Sequence, residues 1–170
     1  MELSAFVQSE LDRINQANQR VLNGLTKEEL AWQPNPQANS IGYLLFHCAR
    51  FEDTFVLGRL QGKPQFWETA KWFEKLGFQL TETGSGYTEE QVKAFKMPDI
   101  TSLLAYSDAV RAQTKAYLNG LSADQFDRTV NMGRMGEMSI GNVFSLIVLH
   151  LAQHTGEISY IRGLKRGMNK

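Results

Sequence analysis

Two of the three histidines in the chain stand four residues apart. The stretch HLAQHTGE contains His150 and His154 and ends at Glu157, and the remaining histidine is His47. On a helix this spacing separates two side chains by about 40°, so both imidazoles lean to the same side. Neutral imidazole is a ligand for zinc, nickel, copper and iron, and three protein ligands with an open position are typical of catalytic zinc. The pair therefore indicates part of a metal site.

The same pair also fits an ordinary core. Val143, Leu146, Ile147 and Ile161 share the histidine face, which turns that face toward the interior. A buried imidazole needs a hydrogen-bond partner or a metal. A histidine on an apolar face is more often a hydrogen-bonded core residue than a ligand, so the residues alone leave both interpretations open.

Three further side chains could either support the histidines or have a structural role in the core. Glu52 lies in the apolar arc of its helix, and Glu157 lies on the histidine side. Metal-bound histidines usually donate their other ring nitrogen to an oxygen, so both carboxylates are candidates to support ligands. For Glu52, pairing with a buried arginine, tyrosine or histidine is the more common alternative. Cys48 points about 100° away from His47 into the core arc, which favours a packing role.

The elements that must position these residues are helices. Apolar spacings of three and four dominate, and no strand-like alternation bounded by hairpin turns is evident, so the sequence predicts an all-α fold. Four long helices are predicted, from about Leu3 to Leu22, from Ser40 to the QGKP segment, from about Asp99 to Leu118, and from Ser139 to near Gly163. In a four-helix bundle, facing helices bring side chains together in the core. We therefore expect His47 on the second helix to meet the pair on the fourth.

An internal similarity accompanies this division. NGLTKEEL after the first helix is similar to NGLSADQF after the third, and SIG opens both the second and the fourth helix. Thr26 with Glu29 and Ser122 with Gln125 each form a predicted capping box. Either the helix pair was duplicated, or the chain uses a common type of helix boundary twice. The similarity fits both alternatives equally well, and both give four helices.

A long insert separates the second and third helices, from Gln61 to Asp99. Thr88 and Gln91 form another capping box, which predicts a short helix from about Glu89 to Phe95. Four aromatic residues before it are expected to fold back onto the bundle: Phe66, Trp67, Trp72 and Phe73. They either cap the core or roof a pocket over the histidines, and the two roles are compatible.

Length and composition limit the classes of protein. A chain of 170 residues fits one domain, residues 1–170, with a substantial core. With 18 basic and 18 acidic residues, no charge excess favours nucleic acid or anionic membrane. The start MELSAFVQSELDR lacks the pattern of a signal peptide, and no segment reaches the roughly 18 apolar residues of a membrane span, so we expect a cytoplasmic protein. The single cysteine excludes an internal disulfide.

Several segments resemble one family over nearly the whole chain. SIGYLLFHCARFEDTF and HLAQHTGEISYIRGL, with WQPNP before the first and FWETAKWFEKLGF between them, resemble the DinB-like superfamily of damage-inducible, metal-binding four-helix proteins. In that family one histidine of the second helix and an H-x-x-x-H pair of the fourth bind a divalent metal. The resemblance thus implies His47, His150 and His154 as ligands. The family often has glutamine where this chain has Glu157, so the resemblance does not require a carboxylate base there.

The resemblance also implies a range of functions. The family includes bacillithiol transferases, relatives of the mycothiol-dependent maleylpyruvate isomerases and many proteins of unknown activity. We expect a zinc- or nickel-dependent hydrolase or thiol S-transferase that acts on a small molecule, with a low-molecular-weight thiol as partner in the second case and Glu157 as a candidate proton shuttle. The alternative is a non-enzymatic helical bundle in which the histidines or their metal are structural. Apolar helix faces permit a homodimer, which the resemblance favours.

Overall fold

Four long helices carry most of the structure. The computed structural model describes residues 2–167 of the chain. The long helices are α1 (Leu3–Leu22), α3 (Ile41–Asp53), α7 (Ile100–Asn119) and α8 (Ile140–Arg166). Between them lie the short helices α2 (Lys27–Ala31), α4 (Phe66–Thr69), α5 (Trp72–Leu76) and α6 (Glu89–Ala94), and 3-10 turns at Ala123–Asp127 and Gly133–Met135. The predicted all-α class is confirmed.

The long helices begin where the sequence offers capping side chains. Ser40, Asp99 and Ser139 each accept a hydrogen bond from the backbone N–H three residues later, at the starts of α3, α7 and α8. Such side chains satisfy donors that the first helical turn leaves without partners. The last helix runs past the predicted end near Gly163 to Arg166, whose guanidinium pairs with Glu29 of α2.

The helix that carries His47 changes form after 13 residues. α3 continues without a break into a π-helix at Thr54–Leu60, a rare geometry with one more residue per hydrogen-bonded ring. At the junction the buried Asp53 accepts hydrogen bonds from the N–H groups of Phe66 and Trp67, both at 2.8 Å. These bonds therefore attach the start of α4, and with it the insert, to the end of α3.

The bundle pairs α1 with α8, and α3 with both α7 and α8. Its buried apolar side chains form two clusters. One surrounds Phe46 and Tyr106, and the other surrounds Leu11 and Phe144. Because α3 and α8 pack directly against each other, side chains on their facing surfaces can meet. Within residues 2–167, no helix combines the length and the hydropathy needed to cross a membrane.

The insert packs its aromatic residues onto the bundle. Trp67 is only 1% exposed and contacts the rings of Phe46 and Tyr106, and its indole N–H donates to the Leu80 carbonyl. Trp67 thus caps the core, which is the first of the two roles expected for these aromatics. The predicted short helix is present as α6, with the Thr88 and Gln91 capping box.

One element contradicts the expectation from sequence that the chain has no hairpin. Strands β1 (Thr129–Asn131) and β2 (Glu137–Ser139) pair antiparallel just before α8, with Val130 opposite Met138. Each strand has three residues, too few for a period of two to stand out in sequence. The turn between them contains two glycines with positive φ, Gly133 and Gly136, which is a conformation that glycine adopts most readily.

Candidate metal centre

The three histidines lie together where α3 packs against α8. His47 Nε2 is 2.9 Å from His150 Nε2. One ring nitrogen from each of His47, His150 and His154 lies within 4.8 Å of the other two, and all three rings are partly buried. The expected meeting of the second and fourth long helices at these residues is therefore present, and the group has a geometry that could hold a metal ion.

His47 is oriented by the insert. Its Nδ1 lies 2.6 Å from the Gly84 carbonyl oxygen, and the Ser85 hydroxyl is 3.3 Å from the same nitrogen. A carbonyl oxygen only accepts hydrogen bonds, so Nδ1 carries the proton and donates it. The lone pair of His47 is then on Nε2, the atom that faces His150.

His154 has an equivalent support on its own helix. Its Nδ1 lies 2.7 Å from Glu157 Oε2, one turn further along α8. The carboxylate accepts from Nδ1–H, which leaves Nε2 of His154 with its lone pair. The His154 side chain is only 17% exposed and that of Glu157 is 53% exposed, so the bond joins a partly buried ring to a carboxylate that reaches solvent.

His150 is held by an aromatic ring instead. Its imidazole stacks on Phe51, with ring centroids 3.8 Å apart and planes 20° from parallel, and Phe51 stacks in turn on Phe55. Burial, with the two neighbouring imidazoles, lowers the pKa of His150 to about 4. Burial also lowers the pKa of His47. Both rings are thus mostly uncharged at neutral pH, which is the form of imidazole that binds metals.

The other two candidate side chains, Glu52 and Cys48, do not belong to the group of potential ligands found among residues 2–167. Glu52 accepts hydrogen bonds from the guanidinium of Arg111 and the hydroxyl of Thr114, at 2.7–2.8 Å. Among residues 2–167 its hydrogen bonds go to α7 and none goes to a histidine, so Glu52 has the role of partner to a partly buried arginine. Burial raises the pKa of the Cys48 thiol to about 12, which fits packing rather than ligation.

Sequence reasoning missed the residues that support His47. Gly84 and Ser85 belong to the segment TGSGYTEEQ of the long insert, for which the sequence pattern predicts no role near the histidines. The one available signal was the pair of closely spaced glycines in a segment that must return to the bundle, since glycine permits close approach of backbone to a neighbour. The buried Asp53, next to Glu52, was also missed.

A bundle whose facing helices bring three histidines to one point is a scaffold on which metal sites are built. The chain belongs to the DinB superfamily, whose family model matches residues 10–158. Among solved structures, a conserved protein from Enterococcus faecalis is similar over 96% of this chain and 97% of its own, with a TM-score of 0.85 and 22% sequence identity. At that identity the likeness establishes the fold alone. No curated protein matches the chain.

Proposed function

We propose that the protein binds a divalent metal ion through the Nε2 atoms of His47, His150 and His154. The observation that carries this proposal is the hydrogen bonding of two of the rings. His47 and His154 each use Nδ1 to donate to a protein oxygen, at 2.6 and 2.7 Å, so their Nε2 lone pairs are free for a ligand. Metal-bound histidines typically make such a bond through the second ring nitrogen.

The donor set favours zinc or nickel. Three neutral imidazoles suit zinc, nickel, copper and iron, whereas magnesium and calcium prefer oxygen ligands. Sulfur coordination by Cys48 is disfavoured because its thiol is buried in the core arc with a raised pKa. Three protein ligands also leave positions open, which distinguishes catalytic zinc sites from structural ones.

We further propose that the centre serves hydrolysis or thiol S-transfer on a small molecule. A divalent ion held by neutral ligands acts as a Lewis acid and lowers the pKa of a coordinated water or thiol. Two side chains of the protein would support the ligands of the ion. Phe51 shields one face of His150, and Glu157 accepts a hydrogen bond from the Nδ1–H of His154. Because Glu157 is half-exposed, it is also the carboxylate best situated to exchange a proton with solvent.

A non-enzymatic role has one observation in its favour. The 2.9 Å contact between His47 and His150 joins α3 to α8, so a metal bound there would link two helices of the bundle. In that case removing the metal would lower stability, and no substrate would be turned over.

Metal analysis of protein purified without a histidine tag tests the first proposal. We expect nearly stoichiometric zinc or nickel in the wild type and a large loss in His150→Ala. Gln153→Ala, an exposed neighbour on the same helix, is the matched control and should retain the metal. A low metal content that His150→Ala leaves unchanged would refute metal binding by this group.

Activity is tested separately with an electrophilic small molecule incubated with and without different low-molecular-weight thiols. A thiol-dependent product indicates the transferase, and a thiol-independent hydrolysis product indicates the hydrolase. Either product should disappear in His150→Ala. Turnover that survives this substitution would place the activity elsewhere, and a metal-loaded protein without turnover on such a panel would favour the structural role.

A further inference from the structure

The insert contributes a tight turn at residues 82–85 that contacts His47. Its two contacts are the Gly84 carbonyl, 2.6 Å from His47 Nδ1, and the Ser85 hydroxyl, 3.3 Å from the same atom. Gly84 and Ser85 are 37 and 38 residues away from His47 in sequence. The orientation of this ring therefore depends on how firmly the turn is held.

The backbone conformation and the surroundings of Gly84 strongly favour glycine. Its φ is +69°, a region that other residues rarely adopt, and the residue is buried. A Cβ atom added there would lie 2.9 Å from both Cβ and Cγ of Arg50 and 3.2 Å from Phe46. Any side chain at this position must therefore push the turn, and its carbonyl, away from α3.

Arg50 also holds the turn through hydrogen bonds. Its Nε donates to the Glu82 carbonyl at 3.3 Å, and its Nη1 donates to Asp53 and to the Tyr106 hydroxyl, at 3.3 and 3.1 Å. Arg50 is only 4% exposed, so these bonds are shielded from water. Within the turn, Thr83 Oγ1 donates to the Ser85 carbonyl and accepts from the Ser85 N–H. The turn is thus fixed both internally and to the bundle.

We infer that Gly84 is a positioning residue for the metal centre: its backbone packs closely against Arg50, and its carbonyl fixes the tautomer and the direction of His47 so that Nε2 faces His150 and His154. This inference rests on the proposed metal site. It assigns to the insert a task beyond capping the core, because the insert then supplies the oxygen that prepares a ligand on α3.

The chain offers a matched pair of glycines for the test. Gly84 and Gly86 have the same φ of +69°, but a Cβ at Gly86 would meet nothing within 4 Å. Ala substitution thus imposes similar backbone strain at both positions, and only Gly84→Ala also displaces the carbonyl.

We expect Gly84→Ala to weaken Zn²⁺ affinity by about 10- to 100-fold, the usual effect of losing a hydrogen-bond acceptor that supports a ligand. It should also alter the absorption spectrum of the Co²⁺-loaded protein. Gly86→Ala should change neither the Zn²⁺ affinity nor the Co²⁺ spectrum. Both variants should melt at a lower temperature than the wild type.

A second measurement needs no substitution. In metal-free wild type at mildly alkaline pH, ¹⁵N NMR of the imidazoles should find the proton of His47 on Nδ1. A proton on Nε2 would overturn the inference, as would equal Zn²⁺ affinities of Gly84→Ala and Gly86→Ala. Wild-type protein that binds no Zn²⁺ would overturn both the proposed function and this inference, whereas normal wild-type binding with an unimpaired Gly84→Ala overturns the inference alone.

Discussion

His47 and His150 face each other across the contact between α3 and α8, with their Nε2 atoms 2.9 Å apart. Two neutral imidazoles can satisfy this contact only if one of them donates a proton from Nε2. The Gly84 carbonyl already holds the proton of His47 on Nδ1, so His150 would have to be that donor when no metal is bound. A bound metal ion would replace that single proton as the shared partner of both nitrogens.

Metal removal should therefore lower stability. A ligand that binds only the folded state at a concentration a thousand times its Kd stabilises that state by about 4 kcal/mol. For a domain of this size that corresponds to a rise in Tm of about 8–16 °C. Thermal unfolding of the apo protein with and without saturating Zn²⁺ measures the difference. His150→Ala should show no such rise, and an equal rise in this variant would indicate binding at other residues.

The stacking of Phe51 on His150 should contribute measurably to stability. Phe51→Leu keeps an apolar side chain but removes the stacked ring, so we expect a loss of about 0.5–1.5 kcal/mol beyond the change in buried area. Urea denaturation of the metal-free protein measures it. Phe6→Leu is the control, because Phe6 is 50% exposed. If the two variants lose the same free energy of unfolding, the stack adds nothing specific.

The ion pair of Glu52 with Arg111 should matter for stability and not for metal binding. Glu52→Gln leaves the guanidinium of Arg111 without its charged partner in a largely buried position, which typically costs about 3–5 kcal/mol. We expect that loss in urea denaturation, with the Zn²⁺ affinity of the folded protein unchanged. Glu68→Gln, at an exposed acid of the insert, should lose little. A weakened Zn²⁺ affinity in Glu52→Gln would instead assign Glu52 a supporting role toward the histidines.

The pairing of Glu29 with Arg166 predicts a dependence of stability on pH. The hydrogen bonds from Arg166 and from the Thr26 backbone lower the pKa of Glu29 from 4.5 to about 2. A carboxyl whose pKa is lower in the folded state stabilises that state above its unfolded pKa and loses this contribution as the pH falls through its folded pKa. The contribution is therefore complete above about pH 4.5 and is lost between there and about pH 2.

Comparing Tm across that range for the wild type and Glu29→Gln tests this. The variant should melt lower near neutral pH, and the gap should shrink as the pH falls toward the acidic end. Two Tm curves that run parallel over the whole range would show that Glu29 does not contribute in this way.

The long helices and the histidine group could be predicted because their signals are local. Apolar periodicity marks the helix faces, and side chains such as Ser40 and Ser139 mark the starts of α3 and α8. The spacing of His150 and His154 then follows from helix geometry. The meeting of His47 with this pair could be predicted from one assumption, that the second and fourth long helices are neighbours.

The rest depends on contacts between distant residues. Every residue has a backbone carbonyl, so nothing in the letters distinguishes Gly84 as the partner of His47. The π-helix after Asp53 and the pairing of β1 with β2 likewise lack a local pattern, because each involves few residues and is determined by packing. Glu52 was recognised as a buried carboxylate, yet its partner on α7, 59 residues away, became evident only in three dimensions.

The separation of 103 residues between His47 and His150 has a consequence for synthesis of the chain. The ribosome completes α3 long before α8 emerges, and domains generally fold as units as they are made. Until α8 packs against α3, a nascent chain offers one histidine of the three. A translation product that stops before His150 would keep His47 but lack both other histidines, so metal capture by all three residues would distinguish finished molecules from incomplete ones.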